Sequence, residues 1–404
     1  MTQVDTIAGN SKTPYSFADD SSYLERARLL APLVNAEAKN TEDSSTTSQV
    51  VVEALTESNL YWALLPKALG GGGLSASEVI PVVEEISRAD GATGWSFMVN
   101  VYSTMAASGF LHPSATAQLW GGAEKALIAG QLLPKTPLKK VDGGYLINGN
   151  FMFASGSGAA THIGVGFLVA DANGDVILDA DGQPEARQAY MPKELIEFKG
   201  GWNVWGLVGT GSYDYRITNQ VVPEEFTQLV FNAEPVRDEA VFKLPALFLA
   251  VSGHAAVALG IAKRALEEVA TITATKVRTG HSGPLAESER FAVEFSRKEA
   301  LLRATRLYLL DVVRQGEEAV ASGEPVSAEL FSRMRQVATW SQEVARDTAL
   351  FAHEWAGTSS IRDTSVLGRC LRNALVATQH ALVDTKSLAD ACADILPGYR
   401  LASS

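Results

Sequence analysis

After Pro245, apolar residues return every three or four positions almost to the end of the chain. The pattern breaks at Gly280–Pro284, Gly323–Pro325 and Gly357. This spacing predicts four long helices, at about 245 to 278, 286 to 321, 326 to 356 and 366 to 394. Helices of that length bury their apolar faces against one another, so a four-helix bundle over 241–404 is the expected solution.

The segment from 21 to 134 is also helical in pattern. Leu24, Ala27, Leu30, Leu33 and Val34 form one apolar face. Gly70–Gly73 interrupts it as a loop, Ser75 or Ser77 is placed to cap a following helix, and Pro113 opens another. Near Pro134 the period changes. Asp142-Gly-Gly is a hairpin signal, Ile163 to Ala170 reads as a buried strand, and the run from Tyr213 is closed by Pro223. Residues 135–240 are therefore expected to form a compact β domain, and 1–20 a frayed, flexible N-terminus.

A net charge of −12 argues against nucleic acid or an anionic membrane as partner. No signal peptide and no 18-residue apolar run is read from the sequence, so a cytoplasmic protein is expected. Cys370 and Cys392 have no metal-ligand spacing and read as reduced, buried thiols. Gly-x-Ser-x-Gly, Gly-x4-Gly-Lys-Ser/Thr, His-Glu-x-x-His and Cys-x-x-Cys are all missing, which leaves hydrolase, P-loop and zinc readings unsupported. No strand-linked Gly-x-Gly-x-x-Gly offers a direct NAD(P)H site.

Two segments belong together. In Leu146-Ile-Asn-Gly-Asn-Phe-Met-Phe-Ala-Ser155-Gly, Phe153 and Ser155 are two apart, so on a strand they share a face. An ordinary strand ending in a Ser-Gly turn would look the same. In Trp202-Asn-Val-Trp-Gly-Leu-Val-Gly-Thr210-Gly-Ser212, glycines allow close backbone approach, and Thr210 and Ser212 supply hydroxyl donors. Trp202 reads equally as a pocket wall or a core residue. Arg278 ends the first bundle helix, and His380 follows His353 by 27 positions (380 − 353).

These segments resemble the two flavin-facing elements of the acyl-CoA dehydrogenase superfamily. The order of helical domain, small barrel-like β domain and four-helix bundle is similar over roughly 20 to 395. The resemblance implies that Phe153, Ser155, Trp202, Thr210 and Ser212 face a flavin, with Ser155 near N5. Arg278, with His281 after it, resembles an element whose arginine reaches a flavin phosphate across a subunit interface. Its alternative is a helix C-terminal arginine answering the macrodipole. Arg362, Arg369 and Arg372 resemble a further cofactor-holding element, Arg369 among them as a flavin ligand.

His380, in Ala377-Thr-Gln-His, stands where a dehydrogenase of that superfamily carries Glu-Gly-Thr. An imidazole there is similar to the oxygenase components of two-component flavin-dependent monooxygenases. The resemblance implies reduced FMN (with FAD as the alternative) delivered by a separate NAD(P)H-dependent reductase. It also implies O2, a C4a-hydroperoxide that His380 protonates or steadies, and hydroxylation of a small apolar aromatic or heteroaromatic substrate. A homotetramer is implied likewise. A second oxygenase histidine is expected near Trp95; Tyr102 and Ser103 stand there instead, and Tyr102 reads as its substitute or as a packing residue. The competing function is an FAD-dependent acyl-CoA dehydrogenase with another base, such as Glu354.

Overall fold

The computed structural model describes residues 17–400 apart from 19, 132, 180, 181, 232 and 281, so most of the N-terminal segment lies outside it. Five helices come first: α1 (Tyr23–Ser44), α2 (Gln49–Glu57), α3 (Ala76–Ala89), α4 (Gly91–Phe110) and α5 (Pro113–Trp120). Local chemistry sets their starts. Ser22 and Ser75 each accept the backbone N–H three residues on, while Glu25 and Glu78 reach back to the cap, closing two capping boxes. Pro113 opens α5, where its missing N–H costs nothing. Gly70–Gly73 is a loop, as expected.

Eight strands follow: β1 (Ile128–Gln131), β2 (Pro137–Val141), β3 (Gly144–Phe151), β4 (His162–Ala170), β5 (Ala186–Pro192), β6 (Glu197–Gly200), β7 (Asp214–Val222) and β8 (Thr227–Leu229). β1 begins ahead of the boundary expected at 135. The sheet runs β6-β7-β3-β2-β4-β5-β8, with β1 added parallel to β4. A two-residue turn at Asp142–Gly143 joins β2 to β3, with Gly143 at φ 85°. β2 pairs with both β3 and β4, so the sheet folds over a core that includes Tyr145, Ile147, Val165, Phe167, Tyr215 and Ile217.

The C-terminal helices are α6 (Ala246–Thr273), α7 (Glu289–Ala321), α8 (Ala328–Ala356), α9 (Val366–Ala377) and α10 (Lys386–Ile395). The expected fourth helix is thus two. The chain leaves the helix at Thr378 and re-enters it at Lys386, where the Asp384 carboxylate accepts the Lys386 N–H at 2.7 Å. His380 lies in this break rather than on a helix. α6 has the length and apolar character of a bilayer span, contrary to the sequence expectation. However, 78% of that window is buried inside the protein, against α3, α4, α8 and α9, which marks it as the central core helix. One cysteine also departs from expectation: Cys370 is buried, but Cys392 is exposed.

Candidate active site

The first construction is a hydroxyl chain between the two paired segments. The Ser155 Oγ lies 2.6 Å from the Ser212 Oγ, which lies 2.8 Å from the Thr210 Oγ1. Thr210 donates in turn to the Leu207 carbonyl at 2.8 Å. That carbonyl also accepts the Trp202 indole N–H at 3.1 Å, and the Leu207 N–H donates to Asn373 Oδ1 on α9 at 2.7 Å. Leu207 holds a left-handed φ of 53°, so the loop is fixed at both of its backbone groups. Gly206 lets it come this close: a Cβ there would stand 2.2 Å from the Arg372 carbonyl oxygen.

Beside this chain the surface is aromatic and open. Phe153 is 55% exposed, with φ 63°, and meets Trp202 edge-on at 6.2 Å; Trp205 is 58% exposed. Large apolar rings at the surface, one on a strained residue, indicate a face built to receive something flat. Asn100 of α4 donates to the carbonyls of Ile128 and Gly156, tying the helix to the strand turn. Its buried Oδ1 has no partner. Hydroxyls, an exposed aromatic face and an orphaned amide oxygen together fit a flavin at Phe153–Gly156.

The second construction is an imidazole pair. His380 packs edge-on to Trp95 of α4 at 5.5 Å and against His254 of α6 at 4.3 Å, and Trp95 meets His254 at 4.7 Å. α6 approaches α4 closely because residue 253 is glycine; a Cβ there would stand 2.8 Å from Met98 Cγ. His254 is 5% exposed, and its Nδ1 has no hydrogen-bond partner. Burial, with His380 as a smaller contribution, holds it neutral well below the ordinary histidine range. Burial likewise pushes His380 down to about 4. The His380 Nδ1 accepts the Leu382 N–H at 3.3 Å, which assigns the ring proton to Nε2.

The sequence reading expected a second histidine on α4 near Trp95. The structure supplies one beside Trp95, but from α6. Its signal was a polar residue in an otherwise apolar run, Ala250-Val-Ser-Gly-His254-Ala-Ala. Tyr102 is buried two turns along α4 from Trp95. Its hydroxyl faces the Ser252 Oγ at 3.4 Å, and burial raises its pKa to about 12, so it stays protonated.

Three of the four arginines singled out in the sequence are engaged within the chain. Arg278 donates to the Glu354 and Trp355 carbonyls at the end of α8 and lies over the Trp355 ring. That is the macrodipole role, played toward a different helix. Arg369 is buried, with its Nε 3.2 Å from Asp90, whose other oxygen caps α4. Arg372 pairs with Glu42 at 2.6 Å. Arg362 and Glu354 are exposed. His281 lies outside the described residues.

Comparison with known proteins bears on the family and the fold. Residues 26–118 match the family model for the acyl-CoA dehydrogenase N-terminal domain, and residues 252–385 that for the C-terminal domain. The chain is 32% identical to an indole-3-acetate monooxygenase of Pseudomonas putida over 357 residues, covering 87% of this chain and 89% of that one. It is 26% identical to the flavin-dependent monooxygenase oxygenase subunit HsaA of Rhodococcus jostii, covering 89% and 94%. Its fold matches that of XiaF from a Streptomyces species, solved with FADH2 and glycerol. The TM-score there is 0.84 at 18% identity, over 95% of this chain and 96% of that one. The chain belongs to the acyl-CoA dehydrogenase superfamily, in its branch of oxygenase components of flavin-dependent monooxygenases.

Proposed function

We propose that this oxygenase takes reduced FMN from a separate NAD(P)H-dependent reductase and hydroxylates a small, apolar aromatic or heteroaromatic ring. The observation that carries the reading is His380, a neutral imidazole walled by Trp95 and His254, where a dehydrogenase needs a carboxylate. When bound, the reduced flavin supplies the two electrons that split O2, one atom going to the substrate and the other to water.

The chain's own residues have distinct tasks. Ser155 would hold the edge of the flavin and Phe153 and Trp202 would pack against it, while Thr210 and Ser212 fix the Ser155 hydroxyl. His380, with its proton on Nε2 and little tendency to gain a second, donates a hydrogen bond to the reacting oxygen and steadies it. Trp95, His254 and the apolar wall of α6 keep water out, which strengthens that bond. Tyr102, protonated and facing the Ser252 hydroxyl at 3.4 Å, packs in the core two turns along α4 from Trp95.

FMN is favoured over FAD because Arg278 and Arg369 are engaged within the chain, leaving fewer cations for a second phosphate. A homotetramer is proposed on family membership, and light scattering would measure it. Two unpaired thiols support a reducing, cytoplasmic setting.

The dehydrogenase alternative loses ground because Glu354 is exposed and its carbonyl is held by Arg278. The deciding experiment mixes the protein with reduced FMN anaerobically, then adds labelled O2 and an aromatic panel. Delayed appearance of oxidised flavin, with one labelled oxygen in a product, is expected. Oxidation at the rate of free flavin, with peroxide as the sole oxygen product, would reject the reading.

A further inference from the structure

Counting protons along the hydroxyl chain decides which way it points. The Leu207 carbonyl is an acceptor, so Thr210 spends its one hydroxyl proton there, at 2.8 Å. Ser212, 2.8 Å from Thr210, must then donate to Thr210 rather than accept from it. With that proton committed, Ser212 accepts from Ser155 at 2.6 Å. The Leu207 carbonyl also accepts the Trp202 indole N–H at 3.1 Å and the Thr210 backbone N–H at 3.2 Å, and the Thr210 hydroxyl, at 2.8 Å, is the shortest of the three contacts. Ser155 is left with its proton turned inward and its lone pairs outward.

We propose that Thr210 and Ser212 are positioning residues that make Ser155 a hydrogen-bond acceptor toward its ligand, and so select the reduced flavin over the oxidised one. N5 of an oxidised flavin is a lone-pair acceptor; N5 of a reduced flavin carries a hydrogen and donates. An acceptor-only hydroxyl complements the second and leaves the first facing lone pair to lone pair, which is costly in a partly dry site. An oxygenase that must capture a reduced flavin and release the oxidised one gains in both directions. The inference rests on the reading that the flavin sits at Ser155.

The test is equilibrium binding of oxidised FMN in air and reduced FMN under anaerobic conditions, without substrate or turnover. The proteins are the native chain and the Thr210→Val, Thr210→Ser, Ser212→Ala and Ser155→Ala variants. Thr210→Val and Ser212→Ala each free a proton for Ser155 to present outward. Both should tighten oxidised FMN and lower the reduced-over-oxidised preference by about three- to tenfold, the worth of one net hydrogen bond. Thr210→Ser keeps the proton and should keep the native preference. A Ser155→Ala variant that shifts the preference while Thr210→Val and Ser212→Ala leave it unchanged would overturn the proposal and spare the flavin site. If Ser155→Ala alters the affinity of neither form, the placement of the flavin fails and the proposal fails with it.

Discussion

The imidazoles of His254 and His380 lie 4.3 Å apart, centre to centre, with their planes tilted by 34°. They reach each other from α6 and from the break between α9 and α10, with Trp95 against both. Two imidazoles so close in a dry setting resist charging, because each proton would be poorly solvated and a second would be repelled by the first.

Stability should therefore fall in acid. Both groups are depressed in the folded state, His380 to about 4. In the unfolded chain each titrates near the ordinary 6.5. Above 6.5 neither state carries these protons and the stability is intact; as pH falls from 6.5 toward 4, the unfolded chain binds protons that the folded chain refuses. For His380 alone the loss is about 3 kcal/mol. A His254→Phe variant keeps a stacked ring and removes one such group, so its urea midpoint should fall less steeply between pH 6.5 and 5. Equal slopes in the two proteins would rule out His254 as a contributor.

Much of this arrangement is legible in the sequence where the signal is local. Ser75 with Glu78, Pro113, Asp142–Gly143 and Pro223 each fix a boundary through the chemistry of a few adjacent residues. Phe153, Ser155, Thr210 and Ser212 are readable as a set from the rings and hydroxyls of the two segments, but not from strand alternation: β3 ends at Phe151, and Phe153, at φ 63°, and Ser155 lie in the turn beyond it. His254 is not readable that way. α6 is apolar on nearly all sides, so the face that meets Trp95 is set by the close approach at Gly253, a tertiary event. The break at 378–385 was hidden by helix-compatible residues around it, although Asp384 and Thr385 are the types that open helices. The partners of Arg369, too, come from α1 and α4, far away in sequence.

Phe153 should trade stability against binding. A side chain at φ 63° costs about 1 kcal/mol that glycine does not incur, and with the ring 55% exposed the apoprotein recovers little of it through packing. Phe153→Gly should leave the apoprotein's melting temperature unchanged or slightly higher. Reduced FMN should bind about tenfold more weakly, the worth of one aromatic contact. A variant that loses stability yet keeps its affinity would show that the ring serves the fold instead.

Arg369 should behave as a strut. Its guanidinium and the Asp90 carboxylate are both buried, at 7% and 1% side-chain exposure, and Asp90 also caps α4. Arg369→Met strands that carboxylate and should cost about 3–5 kcal/mol in chemical denaturation. Adding Asp90→Asn should restore part of the loss while keeping a cap oxygen. FMN affinity of the folded double variant should be near native; a large drop in affinity at restored stability would instead place Arg369 at the flavin.

His380 is the group whose loss should separate oxidation of the flavin from oxidation of the substrate. His380→Ala removes the Nε2–H donor and opens a small space beside Trp95 and His254 to water, while Ser155, Phe153 and Trp202 remain. Reduced FMN should therefore bind within about threefold of native, since no contact assigned to the cofactor is lost. Product formed per flavin oxidised should fall about 10²-fold or more, the lower end of what one preorganised hydrogen-bond donor contributes, with hydrogen peroxide accounting for the difference. His380→Gln, which keeps an N–H near the same place, should recover part of the coupling. The native coupling should hold level from about pH 6 to 8, because His380 titrates near 4 and stays in one form across that range. Coupling that rises as pH falls through 6.5 would mean that a protonated His380 carries the reaction. Unchanged product yield in His380→Ala would remove His380 from the chemistry altogether.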